Sequence, residues 1–422
     1  MKLTLSCIVF LVGVYFVQCT NYANVPLKSQ INQVNPMIGL VFWDDVPEYY
    51  GSSFPYTALS MEYFYLPVNK LVVGRTNGVI QYNWTFIENK LTRIASRGHQ
   101  AIFRPYYEYP GLPTAVPAFL KSILGYQGQV FNGEEFMDWR SPDLQAMHLD
   151  MFTKLAQRYD NDNRVAFVES GFGFWSEYHI SDGPDMVLGY NFPSGDFQQK
   201  SITLITSLFK NTPVLYSIDI ADIYDGQCPV FNSIKNLPFG SFDDSAFAKD
   251  SQDWNDGNKQ RLGWTRYQTQ PLGGEIAYED NVQQHALDIN GPEGTPLPTY
   301  VANYHYTFLI ANDQVNYKYN GPLTQFQRIQ QVGQTFGYKF TITSFQTNGT
   351  HTQVVVKNTG VAPAYKDMYL QVSGVQSTVS LKRLQPGNSS TVVVQVSTNA
   401  PTLKIVSPWI TSKQTIQYEA NL

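Results

Sequence analysis

Short apolar runs alternate with amphipathic segments along the first three quarters of the chain. Residues 37–43 and 100–104 are apolar runs of strand length that end in polar side chains, as strands buried on both faces do. Between them, Ile87, Leu91 and Ile94 recur at the spacing of one helix face. This alternation predicts parallel strands connected by helices.

Strand-like runs occur at residues 37–43, 59–65, 70–73, 100–104, 165–168, 213–218, 239–242, 274–277 and 304–308. Further helices are predicted to begin at Pro142 and to cover about residues 195–210. About eight strands with intervening helices predict an α/β fold of the (β/α)₈ TIM-barrel type. An open doubly wound sheet is the alternative, but Gly171 and Gly173 lack the third glycine of a dinucleotide-binding loop.

The pattern changes at about Phe336. Alternating strand patterns follow at residues 340–345, 352–357, 368–372, 391–396 and 403–406, separated by Asn-Gly, Pro-Gly and Asn-Thr-Gly turns. Such short strands and turns predict a small antiparallel β-sandwich. We therefore expect a barrel domain over residues 20–335 and a sandwich domain over residues 336–422.

The chain begins with Met-Lys and an apolar run over residues 3–17. Val17 and Cys19 place small groups at the −3 and −1 positions of a cleavage site, so residues 1–19 are predicted to be a secretory signal peptide. An uncleaved anchor is the alternative. No later stretch reaches the roughly 18 apolar residues of a membrane helix, so no membrane span is predicted in the mature chain. The expected location is extracellular, with the lysosome or another endomembrane lumen as alternatives.

Two of the three cysteines, Cys7 and Cys19, fall in this leader, which leaves Cys228 without a disulfide partner. A chain without disulfides must rely on a large apolar core. Three Asn-X-Ser/Thr sequons agree with a secretory route and predict a glycoprotein; they lie at Asn83, Asn348 and Asn388. Asn83 also stands where it could cap a helix.

The formal net charge of −5 is unevenly distributed, because residues 326–422 carry +6 and the remainder carries −11. An acidic larger part excludes nucleic acid as its partner. Six of the seven tryptophans precede residue 326, where sugar rings would find aromatic faces to stack on.

Barrel enzymes place catalytic groups at the carboxyl ends of their strands. The acids that follow predicted strands here are Asp44, Asp45, Glu62, Glu169, Glu177, Asp243, Asp244, Glu275 and Glu279. Hydrolysis of a glycosidic bond requires two of them, a protonated donor and an ionised partner.

Glu177 is the predicted donor. It follows the run 165–168 by a glycine-rich loop and is flanked by Trp175 and His179. A neighbouring indole desolvates a carboxyl group and raises its pKa, as a general acid requires. Glu169 lies nearer the strand and is expected to orient its neighbours, with catalysis as its alternative role.

Glu275 is the predicted partner. It lies on a predicted strand near the seventh position of the barrel, directly after Gly273 and Gly274, which allow a ligand or a neighbouring backbone to approach closely. Tyr278 and Glu279 follow at once and would support it.

Other side chains are expected to bind the substrate. Arg104 would hold a carboxylate or an acidic sugar, with an internal ion pair to Glu62 as the alternative. Asp243 and Asp244 would bind hydroxyl groups, or would form a turn or a helix cap instead. The full predicted binding set is Trp43, Glu62, Arg104, Tyr106, Glu169, Trp175, His179, Asp243, Asp244 and Tyr278, with Tyr63 as a further aromatic platform.

No metal or cofactor is predicted. The six histidines form no HxH or HxxxH pair, and no GxSxG nucleophile elbow is present. Both observations favour a catalytic mechanism that uses two carboxyl groups.

Six short motifs follow one another along the chain, and their order is more specific than any one of them: Asn35-Pro-Met-Ile-Gly39, Gly173-Phe-Trp-Ser-Glu-Tyr-His179, Ser241-Phe-Asp-Asp-Ser245, Gly273-Gly-Glu275, Phe336-Gly-Tyr-Lys-Phe340 and Asn358-Thr-Gly-Val-Ala-Pro363. Together they resemble a family of secreted barrel-plus-sandwich proteins, catalogued as a domain of unknown function and related to glycoside hydrolases. The resemblance implies a glycosidase-like fold.

One part of this resemblance departs from the family pattern. The family's usual Gly-Glu-Trp-His is Ser176-Glu-Tyr-His179 here, so the acid is kept while its neighbours differ. The loop is also similar to the general-acid loop of β-amylase-like barrels, which favours Glu177 over Glu169.

The leading hypothesis is a secreted carbohydrate-active hydrolase that acts on an oligo- or polysaccharide. Glu177 would protonate the leaving oxygen, and Glu275 would be the nucleophile or base. The alternative is a carbohydrate-binding or extracellular matrix protein on a degenerate barrel, which the changes at Ser176 and Tyr178 favour. A polysaccharide lyase that uses Arg104, with nearby tyrosines, is a third hypothesis.

Overall fold

The computed structural model describes residues 21–317 and 319–422. The predicted signal peptide, residues 1–19, lies outside the described residues together with Cys7 and Cys19. Within the described part of the chain, no helix combines the length and the hydropathy that crossing a membrane requires.

Eight parallel strands close into a barrel. They are β1 (Gly39–Trp43), β2 (Met61–Pro67), β3 (Gln100–Tyr106), β4 (Val165–Glu169), β5 (Val214–Ser217), β6 (Gly240–Ala246), β7 (Leu272–Ile276) and β8 (Phe308–Ile310). Each strand pairs with its neighbour in sequence, and β8 pairs with β1. The predicted (β/α)₈ barrel is confirmed.

Helices cover the outside of the barrel and occupy its connections. They span Asp45–Tyr50, Val68–Leu71, Thr85–Ser96, Ala118–Lys121, Pro142–Tyr159, Gly195–Leu208, Phe231–Ile234, Gln252–Leu262, Val282–His285, Leu297–Tyr304 and Gln325–Gly333. The predicted helix start at Pro142 is confirmed, because the Ser141 hydroxyl accepts the Leu144 N–H and caps the first turn.

Two strand predictions were wrong. Residues 70–73 span the end of a helix and the start of a hairpin, Val72–Thr76 with Val79–Tyr82, which lies outside the barrel. The run at 304–308 begins in a helix, and His305 ends that helix with a positive φ of 62°, so β8 starts at Phe308. Short apolar runs at helix ends resemble strands because periodicity cannot separate the two at that length.

The C-terminal region forms two packed sheets. Its strands are β9 (Phe340–Thr347), β10 (His351–Asn358), β11 (Tyr369–Val372), β12 (Val375–Ser380), β13 (Ser389–Gln395), β14 (Leu403–Val406) and β15 (Glu419–Asn421). One sheet has the order β13-β10-β9-β15, and the other has the order β12-β11-β14. The predicted sandwich is confirmed, and the boundary at residue 336 stays a prediction.

Short strands that precede the barrel complete the first sheet. Lys28–Ser29 pairs with β15, and Ala23–Asn24 pairs with β9. Another short hairpin, Gln129–Phe131 with Glu134–Phe136, lies in the connection after β3. The sandwich is therefore built from both ends of the described chain.

The sandwich packs against the amino-terminal ends of the barrel strands. The Gln100 amide at the start of β3 donates to the Trp409 carbonyl at 2.8 Å. Phe308 of the barrel and Phe340 and Met368 of the sandwich belong to one buried apolar cluster. The carboxyl ends of the strands stay open on the opposite face of the barrel.

The sequon asparagines are accessible to different degrees. Asn83 and Asn388 are exposed, and Asn348 is half-buried. Asn83 also accepts the Thr85 N–H at 3.0 Å, so its alternative role near the helix start is compatible with the structure. Cys228 is a buried free thiol. Glycosylation stays a prediction.

Lys366 is a buried cation at the junction of the two domains. Its side chain is 1% exposed, and its Nζ donates to the Val165 carbonyl at 2.7 Å and to the Thr212 hydroxyl at 3.3 Å. Burial lowers the pKa of Lys366 to about 7, because a charged amine loses its hydration there.

We expect the stability of the protein to depend on pH through Lys366. Above the pKa of Lys366 in the folded protein, the unfolded chain holds a proton that the folded chain has lost. The free energy of unfolding therefore rises with pH until the pH reaches the ordinary pKa of a lysine amine. The thermal unfolding midpoint of the wild type should therefore rise relative to that of Lys366→Met between about pH 6 and about pH 9. The exposed Lys404 offers the control Lys404→Met, whose unfolding midpoint should change with pH as that of the wild type does. If the difference in midpoint between the wild type and Lys366→Met does not change with pH, the prediction is wrong.

Candidate active site

A cavity of about 570 Å³ opens at the carboxyl ends of the barrel strands. It is lined by Trp43, Tyr65, Tyr109, Trp175, Glu177, His179, Ser181, Asp219, Asp225, Gln227, Asp244, Ser245, Ser251, Trp254, Glu275, Tyr278 and Glu279. Both predicted catalytic acids therefore face one space. This is the end of a barrel at which enzymes of this fold carry their catalytic groups.

The loop after β4 places Glu177 by an unusual backbone path. Trp175, Ser176 and Tyr178 all have positive φ, at 50°, 59° and 75°. A Cβ on Gly171 would lie 2.0 Å from the Ser176 carbonyl oxygen, so that position must be glycine. The strained conformation is held by backbone bonds, among them Glu177 N–H to the Phe174 carbonyl at 2.8 Å.

Ser176 and Tyr178, where the sequence differs from the family that it resembles, both anchor this loop. The Ser176 hydroxyl donates to the Pro105 carbonyl of β3 at 2.8 Å. The Tyr178 ring is buried, and its hydroxyl donates to the Gln198 side chain at 3.0 Å. Glycine would adopt the φ of residue 176 more easily, while serine adds a hydrogen bond that anchors the loop to β3.

Arg104 lies beneath the cavity floor and is 1% exposed. Its Nε donates to Glu169 Oε2 at 2.8 Å, and its Nη1 donates to Glu177 Oε1 at 2.6 Å. The guanidinium also lies 4.0 Å from the centre of the Phe242 ring. The alternative of an ion pair between Arg104 and Glu62 is wrong, and the expected role of Arg104 in holding a carboxylate agrees with these contacts.

The electrostatics of Glu177 differ from the prediction. Burial alone would raise the pKa of Glu177, but His179 and Arg104 outweigh burial and hold this pKa below its ordinary value. His179 Nε2 lies 3.7 Å from Glu177 Oε2. The expectation that Trp175 would raise the pKa of Glu177 by desolvation is therefore wrong, because the Arg104 guanidinium and the His179 ring face the carboxylate and lower this pKa.

Glu275 shows the opposite shift. Burial raises the pKa of Glu275 to about 8, against the effect of the Tyr278 hydroxyl, which donates to Glu275 Oε1 at 2.6 Å. The side chain therefore holds a proton at neutral pH. The glycines before it serve close packing: a Cβ on Gly274 would lie 1.9 Å from the Asp243 carbonyl oxygen.

Asp219 and Asp244 complete the acidic wall. Burial raises the pKa of Asp219 to about 7, and burial together with the charge of Glu177 raises the pKa of Asp244 well above its ordinary value. The sequence prediction missed Asp219, although it directly follows the predicted strand 213–218. The rule that selected the other strand-end acids would have selected it too.

Besides Arg104 and Tyr63, four further residues of the predicted binding set lie outside the cavity lining. Glu62 is fully buried in an ion pair with Arg97 and accepts from His99 at 2.6 Å. Asp243 is fully buried against Lys259, at 2.5 Å. Direct sugar binding by Glu62 and Asp243 is therefore wrong, because strand alternation turns both side chains away from the opening.

The other two of these residues support the lining from behind. Glu169 is buried beside Arg104 and accepts the Tyr63 hydroxyl at 3.0 Å. The Tyr106 ring packs edge-to-face on Tyr65, with 5.7 Å between ring centres. Tyr65, Tyr109 and Trp254 line the cavity without having been predicted to do so. Trp254 follows no strand, so no strand-end rule could find it.

Glu177, His179 and Asp244 also raise the question of a metal, because their ligand atoms lie within 4.8 Å of one another. The Ser181 N–H donates to His179 Nδ1 at 3.2 Å. The neutral ring then carries its proton on Nε2, which faces Glu177. This N–H is directed toward Glu177 Oε2, which lies 3.7 Å from Nε2, whereas coordination of a metal through Nε2 would require that the proton be absent.

Comparisons with known proteins concern the fold. No protein-family model matches the chain, and no curated protein matches it in sequence. Among solved structures, a GH39 enzyme from Xanthomonas axonopodis pv. citri is 10% identical over 91% of this chain and 93% of its own, with a TM-score of 0.40.

Two further solved structures give similar values. GH5_18 from Streptomyces cattleya, in complex with GlcNAc, is 11% identical over 72% of this chain and 79% of its own, with a TM-score of 0.45. Native xylanase 10B from Thermotoga maritima is 12% identical over 65% and 82%, with a TM-score of 0.40. Matches at this level assign no family to the chain, whose own strand pairing defines the closed barrel.

We expect Arg104 to be essential for stability. Replacing it by methionine would leave the Glu169 carboxyl buried without its cation, a change that costs about 3–5 kcal/mol in comparable buried pairs. The free energy of unfolding of Arg104→Met, measured with urea, should fall by that amount. The half-exposed pair of Arg75 and Asp143 provides the control Arg75→Met, which should lose less than about 1 kcal/mol.

A double variant separates charge from packing. Adding Glu169→Gln to Arg104→Met removes the uncompensated carboxylate, so part of the lost stability should return. If the double variant is less stable than Arg104→Met alone, the buried charge is not the cause of the loss.

Proposed function

We propose that this protein is a glycoside hydrolase that uses Glu177 and Glu275 as its pair of carboxyl groups. The supporting observation is that the two acids line one cavity and have pKa values shifted in opposite directions. Pairs of titratable groups pushed apart in this way provide an acid and a base at one pH.

The resting protonation favours a reversal of the roles expected from the sequence. Glu275 holds the proton and would donate it to the glycosidic oxygen as the bond to the sugar carbon breaks. Glu177 is ionised by Arg104 and His179 and would attack that carbon or take a proton from the attacking water. The rings of Trp43, Trp175 and other aromatic residues would stack on the sugar.

Other features support a secretory setting and count against a lyase. The apolar leader and the accessible sequons support secretion, which we propose together with glycosylation. Arg104 already forms ion pairs with Glu169 and Glu177. To neutralise a uronate, Arg104 would have to break one of these ion pairs. This counts against the lyase hypothesis.

We expect glycan cleavage to depend on both acids. Glu177→Gln and Glu275→Gln should each reduce kcat/KM on a cleaved glycan by about 10²–10⁴-fold, the usual contribution of a positioned proton-transfer group. The control Glu48→Gln changes a half-exposed glutamate away from the cavity and should keep full rate. A glycan panel read by mass spectrometry provides the measurement, and full activity of either catalytic variant would exclude the proposed pair.

The roles within the pair can be assigned with aryl glycosides. A substrate with a good leaving group needs no proton donor, so it should restore activity to the variant that lacks the acid. We expect rescue of Glu275→Gln and none of Glu177→Gln. The reverse result would restore the assignment made from the sequence.

The pH profile should report Glu275. Because this residue must be protonated, kcat/KM should fall as pH rises through about 8. The Tyr278 hydroxyl stabilises the ionised form, so Tyr278→Phe should shift this alkaline limb to higher pH. An alkaline limb that does not move in Tyr278→Phe would show that another group limits the rate.

A further inference from the structure

The cavity is strongly acidic for a sugar site. Six carboxyl groups line it, those of Glu177, Asp219, Asp225, Asp244, Glu275 and Glu279, and none of the described lining residues is a lysine or an arginine. The Arg104 guanidinium beneath it is already shared by two carboxylates. Glu177 is ionised, and an approaching cation favours ionisation of the other acids, so this lining favours cations over uronates and other anionic sugars.

Asp219 provides a second, independent observation. The residue is 4% exposed, yet its Oδ1 has no hydrogen-bond partner within the described chain. Its Oδ2 lies 4.0 Å from His179 Nε2. A buried acceptor without a partner costs free energy and points to a donor that arrives with a ligand.

The lining decides what kind of cation would fit. Aromatic faces at Trp43, Trp175 and Trp254 surround the acids and suit a flat sugar face rather than a bare ion. The tautomer imposed on His179 by Ser181 turns an N–H toward the acids, which disfavours a metal ion. An ammonium group carries three donors and can satisfy several carboxylate oxygens at once.

We propose that this cavity binds oligosaccharides that carry free amino groups, with one sugar ammonium held between Asp219 and Asp244. The inference names the substrate class of the proposed hydrolase and rests on it only for cleavage, since binding can be measured separately. An N-acetylated sugar lacks the charge and would leave both aspartates without their cationic partner.

Proton linkage follows from the same contacts. In the free site, burial and the neighbouring carboxyl groups raise the pKa values of Asp219 and Asp244. A bound ammonium would favour their ionised forms, so binding should release protons into the buffer. The other titratable side chains of the lining are Glu177, His179, Asp225, Glu275, Glu279, Tyr65, Tyr109 and Tyr278, and the buried Asp243 raises the pKa values of both aspartates from behind.

The test compares two tetramers of one backbone, β-1,4-linked glucosamine and its fully N-acetylated form, by titration calorimetry with the full-length protein. We expect the free amine form to bind at least about ten-fold more tightly, the advantage to shrink with salt, and the heat to vary with buffer ionisation enthalpy. Equal affinities, or no proton release, would overturn the proposal.

Variants locate the ammonium. Asp219→Asn and Asp244→Asn should each remove most of the preference for the amine, measured as the ratio of the affinities for the two tetramers. The exposed Asp253 offers the control Asp253→Asn, which should keep both affinities. If a variant binds both tetramers more weakly by the same factor, the assigned position of the ammonium is wrong. Thermal unfolding shows whether each variant is folded. If one variant does not fold, the affinities of the other variant test the position.

The outcomes also separate this inference from the proposed activity. Tight binding of the amine tetramer without cleavage of any glycan would support the ammonium site and overturn the hydrolase. Cleavage of neutral glycans with no preference for amines would support the hydrolase and overturn the ammonium site. Competition by Zn²⁺ or Ca²⁺ at micromolar concentration, in place of amine binding, would assign the acids to a metal.

Discussion

The site depends on one buried cation. Arg104 extends from β3 and joins Glu169 at the end of β4, Glu177 in the following loop and the Phe242 ring of β6. A guanidinium is stable at this depth only because it has two carboxylate partners and an aromatic face. The same contacts fix the position of Glu177, so the stability of the barrel and the geometry of the cavity share one interaction.

That interaction also separates the two candidate catalytic acids chemically. Glu177 faces Arg104 and His179 and stays ionised, whereas Glu275 faces a phenol and buried surroundings and keeps its proton. Two glutamates of equal intrinsic acidity therefore acquire different protonation states from their neighbours alone. The barrel brings them together from segments about a hundred residues apart along the chain.

The cavity and the sandwich lie at opposite ends of the barrel. The sandwich, completed by strands from both chain ends, contacts the amino-terminal ends of the barrel strands through groups such as Lys366 and Gln100. The cavity opens at the carboxyl ends, where the loops are free to carry acids and aromatic rings. The sandwich can brace the barrel from this position without entering the cavity.

The sequence by itself determined the barrel, the sandwich and the strand-end acids, because strand and helix periodicity and the position after a strand are local properties. It could not distinguish Glu62 and Asp243, buried in ion pairs, from Asp219 and Asp244, which face the cavity. It also led to the wrong direction for the pKa of Glu177, since the adjacent Trp175 is visible in sequence and the distant Arg104 is not. Only the tertiary structure decides which charges meet, and the charges that meet set the protonation of each acid.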